Sequence, residues 1–182
     1  MLLRILSYHQ VMPSYLDFIS VFGLQIEQRD LQFSGFRSQV TIRDREQPLE
    51  IQSLRRSGRL YQLFYNLKAV SSTTAETYPW SVRQAAIHHQ FDIDQGTALW
   101  IITEGGRDLK ASIQKLTGSK GRPVDQNFTK PVDCFRSSLA VHLLLCQWST
   151  EQWRWYIQWL ESEMVEKVRS SPVTGYLSNS IF

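Results

Sequence analysis

The chain has 182 residues and a mass of 21.2 kDa, enough for one domain whose core needs neither disulfides nor metal. Hydrophobic residues make up 42% of the chain and charged residues 20%, which excludes a wholly disordered protein. The net charge of +3 is too weak to indicate nucleic-acid binding. The longest strongly apolar stretch, residues 139–146, is far shorter than the roughly 20 residues of a membrane-spanning helix.

The two ends of the chain and its cysteines indicate a cytoplasmic protein. The first residues lack the basic start, long apolar stretch and cleavage site of a secretory signal. Cys134 and Cys146 lie in one segment of helical pattern, at a separation of roughly 18 Å along a helix, which is too far for a disulfide. We interpret both as buried thiols of a reducing compartment.

The first part of the chain predicts a short helix followed by strands. The helix begins near Pro13 and is stopped by Gly23. Residues 33–43 and 60–70 alternate between apolar and polar, which predicts two half-buried strands, and Gly58 marks the turn into the second. The predicted apolar face of the second strand is Tyr61, Leu63, Tyr65, Leu67 and Ala69, opposite Gln62, Asn66 and Lys68.

Residues 82–103 predict a β-hairpin that turns at Asp94-Gln95-Gly96. The aromatic-rich strands indicate an antiparallel sheet with one face covered by helices. A short helix is predicted after Gly105-Gly106, with Leu109, Ile113 and Leu116 on one stripe, and residues 117–130 are predicted to form a loop.

From Pro131 to about Arg169 the pattern is helical, with a predicted break and restart. Ser149 and Gln152 have the spacing of a capping box, and Trp148 and Trp153 that of a hydrophobic staple. We therefore expect a domain over residues 1–169 with a long C-terminal helical pair. Residues 170–182 lose the periodicity and are expected to form an irregular tail.

The restarted helix carries two apolar stripes, which is more than one contact normally covers. One stripe contains Trp153, Ile157, Leu160, Met164 and Val168, and the other contains Trp155 and Trp159. Trp and Tyr are enriched at protein interfaces, so Trp155 and Trp159 are the predicted partner-binding residues. Core packing of these aromatic residues is the alternative.

Signals of catalysis are poor, because the chain contains no nucleophile elbow, phosphate loop or dinucleotide fingerprint. One cluster, His88-His89 with Asp92 and Asp94, resembles an acid–base or metal site. On a strand, His88 and Asp92 share a face with Gln84 and Gln90, whereas His89 points the opposite way. A proton relay or metal site is one interpretation, and a hydrogen-bonded polar face is the other.

Other polar residues also leave alternatives open. His142, in an apolar helix stripe, is interpreted as a core histidine with its hydrogen bonds satisfied. The basic run that contains Arg55, Arg56 and Arg59 is either a solvated turn or a site for phosphate or an acidic partner. We predict no catalytic residue, no cofactor and no metal ligand.

Several short sequence motifs occur along the chain in an order that resembles that of one protein family. The sequence contains Tyr8-His-Gln-Val-Met-Pro-Ser-Tyr15, then Arg56-Ser-Gly-Arg-Leu-Tyr61, and then Trp80-Ser-Val-Arg-Gln84 followed by His89-Gln-Phe-Asp92. Trp148-Ser-Thr-Glu-Gln-Trp-Arg-Trp-Tyr156 completes the series. Over about residues 8–168 the chain resembles the soluble N-terminal region of fungal CorA-like transporter-domain proteins.

The resemblance implies a regulatory or assembly domain without the pore, because the superfamily's pore signature Gly-Met-Asn is absent from this sequence. The end of the chain after Arg169 is expected to reflect a truncated gene product, a splice variant or a degenerate paralogue. No residue of an ion path can be transferred to this chain.

We therefore predict an α+β domain with a mainly antiparallel sheet, flanking helices and a long C-terminal helical pair. The preferred function is non-catalytic: contact with another protein, either a second copy or a longer CorA-like relative. A small enzyme that uses the polar strand face around His88 and Asp92 is the alternative. A phosphate or nucleic-acid binder that uses Arg55, Arg56 and Arg59 is a third hypothesis.

Overall fold

The structure is a computed structural model that describes residues 1–22, 34–41, 50–75, 78–119, 121–127 and 129–171. The sheet strands are β1 (Phe36–Thr41), β2 (Leu60–Ser72), β3 (Trp80–Asp92) and β4 (Thr97–Glu104). The α-helices are α1 (Leu2–Tyr8), α2 (Tyr15–Ser20), α3 (Gly106–Thr117), α4 (Pro131–Thr150) and α5 (Trp153–Ser170). Short 3-10 turns lie at Gln52–Leu54 and Pro123–Gln126. The α+β class and the antiparallel sheet predicted from the sequence are confirmed.

The four strands form an antiparallel meander in the order β1-β2-β3-β4. The hairpin between β3 and β4 is confirmed, and Gly96 in its turn has a φ of +62°, a conformation that glycine adopts without steric cost. Gly58, just before β2, likewise has a φ of +79°. Both turns were predicted from the position of these glycines.

Helices cover both faces of the sheet, which corrects the expectation of one covered face. On one face Phe64 and Ala86 pack against Tyr15 and Phe18 of the N-terminal helices. On the other face, Ile87 packs with residues of α3 and α4, including Leu109 and Leu145. On the polar face of β2, Gln62 and Asn66 are therefore buried, whereas Lys68 is partly exposed.

Strand β1 is exposed along nearly its whole length, so the prediction that it is half-buried is wrong. Phe36 is 64% exposed and Val40 is 62% exposed. β1 lies at the edge of the sheet, and its main contacts among the described residues are with β2. The predicted positions Phe33, Ile42 and Arg43, and also Gly23, lie outside the described residues.

The boundary between α4 and α5 differs from the predicted capping box. Helix α4 continues through Ser149, whose hydroxyl donates to the carbonyl of Cys146 at 2.8 Å. The N-cap of α5 is Gln152, which has a φ of +66°, and Trp153 is the first residue of the helix. Trp153 therefore lacks the position that a hydrophobic staple requires. Its indole instead donates to the carbonyl of Ser149 at 2.7 Å.

The two cysteines are both free, but they differ in exposure. Cys134 is buried, and burial raises the pKa of its thiol. Cys146 is exposed, which corrects the expectation that both thiols are buried. The predicted tail beyond Ser171 lies outside the described residues.

Candidate functional site

The predicted cluster on β3 divides between the two faces of the sheet, as the alternation of a strand requires. His88, Gln90 and Asp92 lie on the face that the N-terminal helices cover, and His89 lies on the face toward α4. The prediction that His88 and Asp92 share a face is confirmed. The two side chains nevertheless have separate partners.

His88 is fully buried and belongs to a polar contact that supports the segment between α1 and α2. Its Nε2 lies 3.1 Å from Oε1 of Gln62. Gln62 also accepts from the amide of Met12 and donates to the carbonyl of Gln10. Burial lowers the pKa of His88 to about 4, so its imidazole is neutral near pH 7. This histidine lies in the core, away from any solvent-borne substrate.

Asp92 fastens the end of the hairpin to the turn that precedes β2. Its carboxylate accepts from the amide of Ser57 at 2.7 Å and from the Ser57 hydroxyl at 2.9 Å. It also accepts from the amides of Asp94 at 3.1 Å and Gln95 at 2.9 Å. The side chain is 2% exposed. Four donors on one buried carboxylate indicate a structural role, because few acceptor sites remain for a substrate proton or a metal.

The three arginines of the basic run have different environments. Arg55 is exposed with a φ of +50°, while Arg59 forms an ion pair with Asp94 at 3.0 Å. Arg56 is buried and binds the carbonyl oxygen and the Nδ1 atom of His9. The run is therefore a turn held against the hairpin, and Arg56 does not belong to a solvated turn.

A second polar network, on the opposite face of the sheet, connects α4 to three strands. His142 Nε2 lies 2.9 Å from His89 Nδ1, and His142 Nδ1 lies 2.7 Å from the hydroxyl of Tyr65. The ring of His89 stacks on Trp100 with centroids 4.0 Å apart. The interpretation of His142 as a hydrogen-bonded core histidine is confirmed. Its pairing with His89 was missed, because sequence spacing carries no signal for a contact between α4 and β3.

These two networks contain three of the four histidines, His88, His89 and His142. Within the described part of the chain, no group of three or more His, Cys, Asp or Glu side chains is placed to hold a metal ion. Asp94 is exposed and paired with Arg59, while Asp92 is occupied by backbone and serine donors. The geometry stabilises loops and helices in place and does not form a recognisable acid–base pair.

A cavity of about 410 Å³ lies between α3 and α4. Its wall includes the apolar side chains of Leu116, Leu144 and Trp148. Charged side chains of both signs line it as well, namely Asp108, Lys115, Arg122 and Glu151. This mixture of charges selects no ligand class.

The C-terminal helix α5 presents the predicted partner-binding residues. Trp155 is 57% exposed, and the guanidinium of Arg154 lies over its ring at 5.6 Å. Trp159 is half-buried and stacks on Tyr156, which in turn contacts Trp80 of β3. The structure thus divides the predicted pair: Trp155 is available on the surface, and Trp159 belongs partly to the contact of α5 with the domain.

The first apolar stripe of α5 is also uncovered. None of the described residues of this helix is buried. Met164 is 66% exposed and Val168 is 76% exposed. Trp155 and Met164 are nine positions apart, which places them on opposite sides of a helix with about 100° per residue. Helix α5 therefore exposes apolar side chains on two faces.

Comparison with known proteins identifies one family. Within the described residues, no helix is both long enough and apolar enough to cross a membrane. No curated protein and no solved structure matches the chain. A family model described as CorA-like transporters matches residues 1–171, nearly the entire length. The chain therefore belongs to the CorA-like family of transporters.

Proposed function

We propose that this protein is a non-catalytic, soluble CorA-like domain that acts in the cytoplasm by assembling with a second CorA-like chain through α5. The second chain is either another copy or a longer relative. The observation that carries the proposal is the exposure of α5, an 18-residue helix without a buried residue. Burying such apolar surface favours association by about 25 cal/mol per Å² of area removed from water.

We assign the contact to the face of α5 that contains Trp155. Trp159 lies on the side of this face nearer the sheet, where it is half-buried. Trp155 offers a large, rigid aromatic surface, and aromatic side chains of this kind dominate the energy of many interfaces. Trp159 and Tyr156 stack on each other, and Tyr156 contacts Trp80 of the sheet. The two free cysteines suit a reducing compartment, which supports the cytoplasmic location.

We also propose that the chain does not transport ions by itself. The sequence contains no Gly-Met-Asn, the pore signature that its resemblance to the superfamily implies for a conducting chain. The non-catalytic role is supported by the environments of His88 and Asp92. Both are buried and bound to other groups of the protein, so the small-enzyme alternative has no observation in its favour.

Sedimentation velocity over a concentration series tests the assembly. We expect the wild-type protein to associate reversibly at high micromolar concentration and Trp155→Ser to weaken this association. Leu143→Ser is the matched control, because Leu143 is a 71% exposed apolar residue on α4. The control should associate as the wild type does.

A double variant, Met164→Ser with Val168→Ser, tests the opposite face of the same helix. If this variant loses association and Trp155→Ser does not, the contact lies on the first stripe and the assignment to Trp155 is wrong. A monomer at every concentration, alone and with a longer CorA-like relative, would contradict the assembly proposal as a whole.

A further inference from the structure

A small polar cavity of about 180 Å³ lies at one end of the sheet, beside the turn of the β3–β4 hairpin. Two cross-strand pairs form one side of it: Gln90 with Leu99, and Asp92 with Thr97. Leu54, Arg56 and His9 close the other side. The cavity is therefore built from three separate parts of the chain, which the fold holds together.

Arg56 carries a buried positive charge at this cavity, and its partners among the described residues are neutral. The side chain is 8% exposed, and it binds the carbonyl oxygen and Nδ1 of His9. In the amide orientation that satisfies both groups, the Gln90 oxygen accepts from Nη1 of Arg56 at 3.2 Å. The ion pairs among the described residues are Arg59–Asp94 and Arg136–Asp133, so no described carboxylate contacts Arg56.

A buried charge without a counter-charge in contact is uncommon, because burial removes its hydration without replacing it. Burial lowers the pKa of the Arg56 guanidinium, and the nearby Asp92 acts in the opposite direction. Asp92 does not contact Arg56, since its oxygens accept from Ser57, Asp94 and Gln95. Its negative charge lines the same cavity and repels an anion with two charges about twice as strongly as one with a single charge.

We propose that this cavity binds a small carboxylate with a short apolar group. The carboxylate lies against the guanidinium of Arg56, and the hydroxyl of Thr97 is available as an additional donor. Leu54 and Leu99 supply the apolar wall. The cavity volume of about 180 Å³ lies below the roughly 300–1,000 Å³ of pockets for drug-sized ligands, so the ligand has only a few carbon atoms.

This site is separate from the assembly surface on α5, and neither proposal depends on the other. Arg56 and the hairpin belong to the end of the sheet, whereas α5 contacts the domain through Tyr156 and Trp80. Ligand binding and oligomerisation can therefore be measured independently on the same variants.

Titration followed by backbone amide NMR tests the site, with sodium propionate as the probe and sodium chloride and sodium phosphate as reference salts. We expect the amide signals of Arg56, Gln90 and Leu99 to shift and saturate at millimolar propionate, and not with chloride. Leu99→Phe fills the cavity and should abolish the saturable shift. Arg56→Lys keeps the charge but loses the planar fork, and should weaken binding by about tenfold.

Arg136→Lys is the matched control, because the Arg136 side chain is 72% exposed and lies on α4. It should bind propionate as the wild type does. If Leu99→Phe does not fold, Thr97→Val replaces it, since Thr97 is exposed and its loss removes only the hydroxyl donor from the cavity. Thr97→Val should weaken propionate binding several-fold.

Three results would overturn the proposal. The first is a wild-type spectrum that shows no saturable shift with propionate. The second is an unchanged affinity in a folded Leu99→Phe or Thr97→Val protein. The third is tighter binding of phosphate than of propionate, which would show that the site does not prefer a singly charged carboxylate.

Discussion

His142 of α4 and His89 of β3 share a hydrogen bond of 2.9 Å between Nε2 and Nδ1, and this bond ties a helix to the centre of the sheet. Burial lowers the pKa of His89 to about 3, with a further contribution from His142, and that of His142 to about 4. The pair is therefore neutral near pH 7, where one ring can donate to the other.

We predict that acid destabilises the protein between about pH 6.5 and pH 3. The unfolded chain binds protons on these imidazoles near pH 6.5, whereas the folded chain resists protonation until pH is close to 3 or 4. The free energy of unfolding should therefore fall as pH falls through this window, by up to about 1.4 kcal/mol per pH unit for each such histidine. Urea unfolding at a series of pH values measures the slope.

The variant His142→Gln should flatten that slope, at the expense of stability at pH 7. Glutamine keeps a hydrogen-bonding group near Tyr65 but does not titrate. An equally steep slope in His142→Gln would show that other groups cause the acid sensitivity. His88, buried on the opposite face with its pKa lowered to about 4, adds to the slope in both proteins and so does not affect the comparison.

We predict that Gln152→Gly stabilises the protein. Gln152 begins α5 with a φ of +66°, which costs a non-glycine residue about 1–2 kcal/mol, and its side chain is exposed. Glycine removes most of this cost. Thermal and urea unfolding should show a gain of about 1 kcal/mol, less the added entropy of the unfolded chain.

Gln158→Gly is the matched control for that substitution, because Gln158 is exposed in the interior of α5. Glycine at this helical position should destabilise the protein by about 1 kcal/mol.

Ser149→Ala tests the capping box predicted from the sequence and should change the free energy of unfolding by less than about 0.5 kcal/mol. A loss of about 1 kcal/mol in Ser149→Ala would instead support a cap at that residue.

We predict that Asp92→Asn destabilises the protein by about 1–3 kcal/mol, because a buried amide nitrogen then faces donors that bound a carboxylate oxygen. The comparison is Asp94→Asn, which removes an exposed ion pair with Arg59 and should cost at most about 1 kcal/mol. Urea unfolding of both variants measures the two losses in the free energy of unfolding. Equal losses would contradict the structural role assigned to Asp92.

We predict no Mg²⁺ binding tighter than the millimolar range by this chain. Mg²⁺ requires octahedral oxygen ligands and releases its waters reluctantly. Asp92 is occupied by four donors, and Asp94 is paired with Arg59. Calorimetry with magnesium chloride should show no saturable heat. A micromolar site lost in the double variant Asp92→Asn with Asp94→Asn would contradict this prediction.

The sequence predicted the strands well where one residue type determines the local conformation. Gly58 and Gly96 located turns, and the alternation along residues 60–70 located β2 and its two faces. The sequence could not show that the face with Gln62 and Asn66 is buried, because polar side chains in an alternating strand predict a solvent-exposed face. Their environment is set by helices that come from a distant part of the chain.

The same limit applies to the candidate site. The periodicity placed His88 and Asp92 on one face of β3, since a strand has a period of two residues. The pairing of His89 with His142 joins residues 53 positions apart and leaves no trace in local pattern. The capping box failed because Ser149 has a competing acceptor, the carbonyl of Cys146, within the preceding turn of α4.

Gln152, the residue in a left-handed conformation between α4 and α5, sets the direction in which the last helix leaves the domain. Helix α5 has 18 residues and is therefore about 27 Å long at 1.5 Å per residue. A rotation of about 10° at Gln152 would move its far end by about 5 Å on this length. Small changes in backbone angle at one exposed glutamine thus translate into displacements as large as one helical turn at Ser170.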